Sequence, residues 1–259
     1  MSNVELTVPR AGVALLRINR PQARNALSLE LRIEFSRMLG ELDEDEDVRV
    51  IVLAGSEKVF AAGADLRELM DARPTDTKLE HMQVIWQAMR RCRKPVLAAV
   101  RGICVGGGCE LAMAADIMIV GESARLGQPE VKVGIMPGAG GLQRVYRLAG
   151  KSMAMQMALT GQLIDGPTAA RAGLASEVVP DEQVLDRTLE IAETIAGMSP
   201  FAVRQIKEIM LMGADAPIEV ALTLERKALQ MMFGSPHQQE GMKAFLEKRA
   251  PRFEGTGRR

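Results

Sequence analysis

The stretch Pro95–Val120, PVLAAVRGICVGGGCELAMAADIMIV, decides how this chain folds. It opens with an unbroken apolar run, Pro95 to Val100, and closes with another, Asp116 to Val120. Runs of this length without polar alternation read as strands buried on both faces. Between them lie the glycines 106–108 and the helix-forming CELAMAA, so the connection is a turn followed by a short helix. Strand, crossover helix and strand is the grammar of a parallel α/β sheet. Arg101, Glu110 and Asp116 interrupt the stretch, which therefore lacks the ~20 uncharged residues needed to span a bilayer.

The same alternation extends outward. Val4, Leu6 and Val8 alternate with polar residues and, across a turn at Gly12, face the apolar run Val13–Ile18, predicting a hairpin. Ser28 caps a helix carrying Leu31, Phe35, Met38 and Leu42, which ends in the acidic run Asp43–Asp47, read as a solvated turn. Val48–Ala54 reads as a buried strand and Thr77–Cys92 as one helix, and a second glycine-rich turn leads into a helix over Gly140–Leu148. After Pro180 the strand pattern stops and three or four helices follow, Ser199-Pro200 and Ser235-Pro236 each offering an N-cap and a first-turn proline. Apolar residues occupy more than one face of Pro217–Phe233, which predicts burial against another subunit.

Composition narrows the function classes. The 259 residues are 47% apolar and 25% charged, the composition of a globular protein with a sizeable core. Thirty-three basic residues balance thirty-three acidic ones, and one Trp, one Tyr and six Phe are few, so neither charge nor stacking favours nucleic acid or a membrane surface. Arg90, Arg91, Arg93 and Lys94 form the dense basic cluster that an RNA-binding scaffold would use, and they read instead as a solvated helix end. Cys92, Cys104 and Cys109 lack CxxC spacing and read as reduced thiols. The opening MSNVELTVPR has no signal-peptide pattern, so the expected location is the cytoplasm.

Familiar signatures fail on inspection. Gly150-Lys151-Ser152 ends like a P-loop, but Val145 stands where the first glycine is required, leaving GKS as helix surface. Leu111 and Gln143 occupy the third glycine positions of VGGGCEL and PGAGGLQR, which removes a dinucleotide fingerprint. There is no GxSxG. His81 and His237 each stand alone in a polar, exposed helical context and read as neither bases nor ligands, so no metal site is expected. What remains is a pair of carboxylates on glycine-rich turns, Glu110 in VGGGCELA and Glu130 in GQPEVKVGIMPGAGG. Each follows a strand, so adjacent strand ends would bring both into one crevice. Singly, Glu110 is a helix N-terminal acid and Glu130 a loop acid; the pair with its glycines favours chemistry. Gly106–Gly108 let a helix N-terminal amide approach a ligand oxygen, and FAAGADLREL offers a second such amide around Ala62-Gly63-Ala64.

NRPQARNAL, FAAGADLREL, GGGCELAMAADI and GQPEVKVGIMPGAGGLQR, in this order and spacing, resemble the crotonase (enoyl-CoA hydratase/isomerase) family, with compatible pattern from Val4 to Phe253. The resemblance implies a spiral of ββα units followed by a helical trimerisation region: residues 1–196 as the α/β core with the acyl-CoA site, residues 197–259 as the oligomerisation region of a homotrimer or dimer of trimers. It implies an acyl-CoA thioester substrate and no cofactor, coenzyme A being part of the substrate. By the same resemblance Ala64 and Gly107 donate the oxyanion-hole amides. Glu110 and Glu130 are the catalytic acids of a hydratase, which keeps both where isomerases commonly keep one. Glu110 is assigned as the base on water and Glu130 as the acid toward C2, and Gly138 as a backbone contact in the water site. Ala23, Arg24 and Ala62 resemble the loops that meet coenzyme A, with Arg24 and Lys248 toward its phosphates. Ile103-Cys104, Leu126 and Leu142 depart from the common pattern beside the catalytic loops, where they bear on chain length, as does Leu66–Trp86 with Met70, Met82 and Trp86. Another crotonase reaction, isomerisation or hydration of a dicarboxylic or aromatic-pathway enoyl-CoA, is the nearest alternative.

Overall fold

A computed structural model describes residues 2–255. The order is β1 (Val4–Arg10), β2 (Val13–Ile18), α1 (Leu29–Glu44), β3 (Val50–Ala54), β4 (Val59–Ala61), α2 (Leu66–Leu69), α3 (Thr77–His81), α4 (Val84–Arg91), β5 (Val96–Val100) and β6 (Ile103–Val105). Then come α5 (Gly107–Ala112), β7 (Ile117–Gly121), β8 (Arg125–Gly127), α6 (Gly141–Thr160), β9 (Ile164–Asp165), α7 (Gly166–Arg171) and β10 (Glu177–Val179). Four helices close the chain: α8 (Val184–Ala196), α9 (Pro200–Gly213), α10 (Ile218–Met232) and α11 (Pro236–Leu246).

Among the described residues ten strands form two sheets, ordered β1-β2-β3-β5-β7-β10 and β4-β6-β8-β9. The β1–β2 hairpin pairs Val4 with Ile18, and from β2 onward the larger sheet is parallel. Three successive units repeat one path: β3, β5 and β7 enter the larger sheet, β4, β6 and β8 continue into the smaller one, and helical chain returns. This repeat is the spiral that the family resemblance implies. One face of the larger sheet packs through Leu16, Ile51, Leu53, Ala98 and Val120 toward the smaller sheet and α1. The other packs through Leu15, Val52, Leu97 and Ala99 onto Val184, Leu189 and Ala192 of α8. Burial on both faces is why β3, β5 and β7 are continuous apolar runs.

Several expectations need correction. Thr77–Cys92 is not one helix: the chain turns over Met82–Gln83, where the Met82 carbonyl accepts from Arg32 Nη1 at 2.7 Å. The helix expected over Gly140–Leu148 runs on to Thr160, broken at Gly150, whose φ of 78° and ψ of 169° are non-helical. The Asp43–Asp47 run and the basic cluster are not both solvated. Asp43 accepts from the backbone and guanidinium of Arg93 and from the backbone of Lys94, whose buried Nζ donates to the carbonyls of Leu42 and Asp45. His237 is buried, not exposed. Its Nδ1 meets Ser199 Oγ at 3.0 Å and its Nε2 the Glu254 carbonyl at 2.8 Å, which ties the chain end to α9 and α11.

Candidate active site

The strands that deliver the two acids belong to the smaller sheet, not to the long apolar runs Pro95–Val100 and Asp116–Val120. β6 and β8 are adjacent and parallel, with Cys104 paired to Leu126 and Val105 to Gly127. Their carboxyl ends emit Gly106 and Gln128 side by side, and Gly106 N–H donates to the Gly127 carbonyl at 2.9 Å. Glu110, 3% exposed in the first turn of α5, accepts on Oε1 from Ala139 N at 2.7 Å and Gly141 N at 2.8 Å. Glu130 opens a 3₁₀ turn, Glu130–Val133, half-buried. Its Oε1 lies 3.1 Å from where a Cβ on Gly106 would stand, so a side chain there would press on the acid. Gly106 also has φ of 54° and ψ of −131°, a region glycine alone enters freely.

The environments of the acids differ. Burial pushes Glu110 up from the ordinary carboxyl value, and the amides of Gly141 and Ala139, with the nearby guanidinium groups of Arg144 and Arg32, pull it back. Glu130 is pushed up to about 7, first by burial and further by the charge of Glu110, while its own backbone N–H opposes the shift. Among the described residues Glu130 Oε2 is buried without a protein partner, as are both ends of the Gln128 amide. One acid is thus held as an acceptor and the other is poised to carry a proton near neutral pH.

The second glycine-rich loop lies against the first. Gly63, at φ of 91°, would place a Cβ 3.1 Å from the Val105 carbonyl and 3.5 Å from Gly107 N. Leu27 N–H donates to the Gly63 carbonyl at 2.7 Å in a parallel bridge to Ala64, which turns the Ala64 N–H away from Leu27. Gly107 is the first residue of α5, where an amide has no acceptor in its own helix. Among the described residues neither the Ala64 nor the Gly107 N–H has an internal acceptor. Two unspent donors on touching loops are free to bind a ligand oxygen.

A buried polar frame fixes the Ala64 loop. Arg20 Nη1 bonds Asp65 Oδ2 at 2.8 Å, and Asp65 caps α2 by accepting from Arg67 N. Asn25, fully buried at φ of 56°, accepts from Arg20 N and donates to the carbonyls of Val59 and Phe60. Asn25→Ala leaves these backbone groups unpaired and puts a Cβ-bearing residue with no side-chain hydrogen bond in the left-handed region. It is expected to cost about 3 kcal/mol, read as a lower urea midpoint.

Of the other sequence-derived positions, Ala23 and Arg24 end a short 3₁₀ turn, Arg24 exposed and left-handed, and Ala62 is half-buried beside Gly63. Gly138 is exposed next to Ala139. Lys248 is exposed beyond the end of α11 at φ of 55°, where its N–H donates to the Phe245 carbonyl rather than toward the crevice loops. Met70 is 81% exposed, whereas Trp86 is buried. The amides that hold Glu110, and the buried Arg32, Asn25 and Gln128, were not singled out; PGAGG was the one signal for the amides. Among the described residues no three His, Cys, Asp or Glu side chains cluster as metal ligands.

The family model for enoyl-CoA hydratase/isomerase matches residues 9–256. A Mycobacterium tuberculosis protein named "Probable enoyl-CoA hydratase echA8" is 42% identical over 93% of this chain and 94% of its own. The 2,3-dehydroadipyl-CoA hydratase of Escherichia coli K12 is 39% identical over 97% and 99%. The solved enoyl-CoA hydratase of Bacillus anthracis superposes with a TM-score of 0.92 at 36% identity, covering 99% of this chain and 100% of that one.

Proposed function

The chain belongs to the enoyl-CoA hydratase/isomerase family, the crotonases, and from that premise we propose that it adds water across the 2,3 double bond of a trans-2-enoyl-CoA to give the 3-hydroxyacyl-CoA. The observation that carries this reading is the pair of carboxyls in unlike surroundings beside two unspent amides. Ala64 and Gly107 N–H receive the thioester oxygen, which gains charge as C3 is attacked. Glu110, kept an acceptor by Ala139 and Gly141, orients water and takes its proton; Glu130 returns a proton to C2. The water lies beside the Gly138 backbone. An isomerase would need only one acid, so the presence of both favours hydration.

Coenzyme A runs along the main chain of Ala23, Arg24 and Ala62, its phosphates met by Arg24 and by Lys248 of a neighbouring copy. No cofactor takes part. Residues 1–196 hold the site and residues 197–259 drive assembly, because Ile206, Met210, Ile218, Met231 and Phe245 are each more than half exposed on α9–α11. Light scattering should give a trimer or a dimer of trimers, and a monomer at micromolar concentration would overturn that assignment. No described helix is long and apolar enough to cross a membrane, and the buried free thiols suit the cytoplasm. The direct test follows the ultraviolet absorbance of the conjugated thioester with short, long, aromatic and dicarboxylic enoyl-CoAs. Loss of absorbance with hydroxyacyl product supports hydration; constant absorbance with all of them overturns it.

A further inference from the structure

Among the described residues Arg32 is the largest fully buried side chain, 1% exposed on the inner face of α1. Its Nε donates to the Leu27 carbonyl at 2.9 Å and its Nη1 to the Met82 carbonyl at 2.7 Å, and the guanidinium lies 4.9 Å from the centre of the Trp86 ring. Burying this group is costly enough to bring its pKa down to about 10. A leucine or methionine would occupy much of the space without that cost. What they lack is a planar fork that fixes two carbonyls while its face lies on an indole.

The part it fixes is the far wall of the site. Trp86 is 2% exposed, and its Cζ2 and Cη2 would meet a Cβ on Gly107 at 3.5 and 3.6 Å. Gln83 Nε2 donates to the Gly138 carbonyl at 3.4 Å, one residue before the Ala139 amide that holds Glu110. The stretch 82–86 therefore reaches from the proposed oxyanion donor to the support of the proposed base. An acyl chain leaving C3 between those points would run along it.

We propose that Arg32 is a positioning residue that, by clamping Met82 and Trp86, sets the depth of the acyl end of the site and so the chain length accepted. The proposal rests on the thioester reading above. It differs from a simple packing role because the fork, rather than volume, is what fixes the two carbonyls.

Trp86 is the sole tryptophan, so its emission reports this wall directly. The experiment compares the wild type, Arg32→Lys and Arg32→Met on trans-2-enoyl-CoAs of increasing length, with emission recorded during titration by free coenzyme A and by saturated acyl-CoAs. In both variants the ratio of kcat/KM between short and long chains should shift by about tenfold, mostly through KM. Wild-type emission should respond to acyl-CoA and grow with chain length, beyond any response to free coenzyme A. An unchanged ratio in both variants overturns the proposal, as does wild-type behaviour of Arg32→Lys, which keeps the charge without the fork. If neither variant folds, emission that answers equally to free and acylated coenzyme A overturns it in the wild type alone. Should the wild type hydrate no thioester, the functional reading fails by that assay, and emission still shows whether acyl length reaches Trp86.

Discussion

Glu130→Gln is expected to give a folded protein that binds CoA thioesters as the wild type does and hydrates them about 10²–10⁴ times more slowly, the range for losing a positioned general acid. The same change should make the protein more stable in alkaline buffer. Glu130 titrates at about 7 when folded against 4.5 for the free group, so between those values the folded chain binds more protons than the unfolded one. The stability its proton contributes is complete below the unfolded value and is lost as pH rises through 7. At about 1.4 kcal/mol per unit the shift amounts to roughly 3 kcal/mol, and partial exposure reduces this to about 1–2 kcal/mol. A glutamine cannot ionise, so urea midpoints should favour the variant at pH 8 and show little difference at pH 5. Wild-type turnover by Glu130→Gln would remove Glu130 from the mechanism, and equal midpoints at pH 8 would show that its charge is not desolvated.

The parts of this structure that sequence reading found and missed divide on physical grounds. β3, β5 and β7 were legible because the larger sheet is covered on both faces, which leaves uninterrupted apolar runs such as Val96–Val100. β4, β6 and β8 carry three residues each and are punctuated by glycine, too short for any period to emerge, so the carboxylates were assigned to the wrong strands. The loops that carry Glu110 and Glu130 still lie side by side, because β6 and β8 continue from β5 and β7 and share their adjacency. Polar residues buried by distant partners left no local mark. Arg32 is buried through Met82, Lys94 through Leu42 and His237 through Glu254, and each sits in a helix or turn where a solvated side chain is the ordinary outcome. The amides of Ala139 and Gly141 have no side-chain signature at all, and only the glycine content of PGAGG hinted at exposed backbone.

Gly107→Pro is expected to reduce kcat/KM by about 10³ while leaving the helix in place, because it deletes one N–H that the fold does not use. Position 107 is the first residue of α5, where proline is tolerated since the amide has no intrahelical acceptor. The residue before it is a glycine whose ψ of −131° mirrors the extended range that a following proline demands. Folding therefore loses no internal hydrogen bond, and circular dichroism and urea midpoint should stay close to those of the wild type. The loss falls on the transition state. On the proposed reaction, charge accumulates on the thioester oxygen as water adds to C3, and removing a donor from such a hole costs roughly 3 kcal/mol. The proline ring also occupies the space the oxygen needs, which places the expected effect at the upper end. Gly107→Ala is the control: it retains the N–H, and its Cβ would sit 3.5 Å from Trp86, an ordinary contact, so activity should remain within about threefold. A Gly107→Pro protein that folds and still hydrates enoyl-CoA at the wild-type rate would show that the thioester oxygen is held elsewhere.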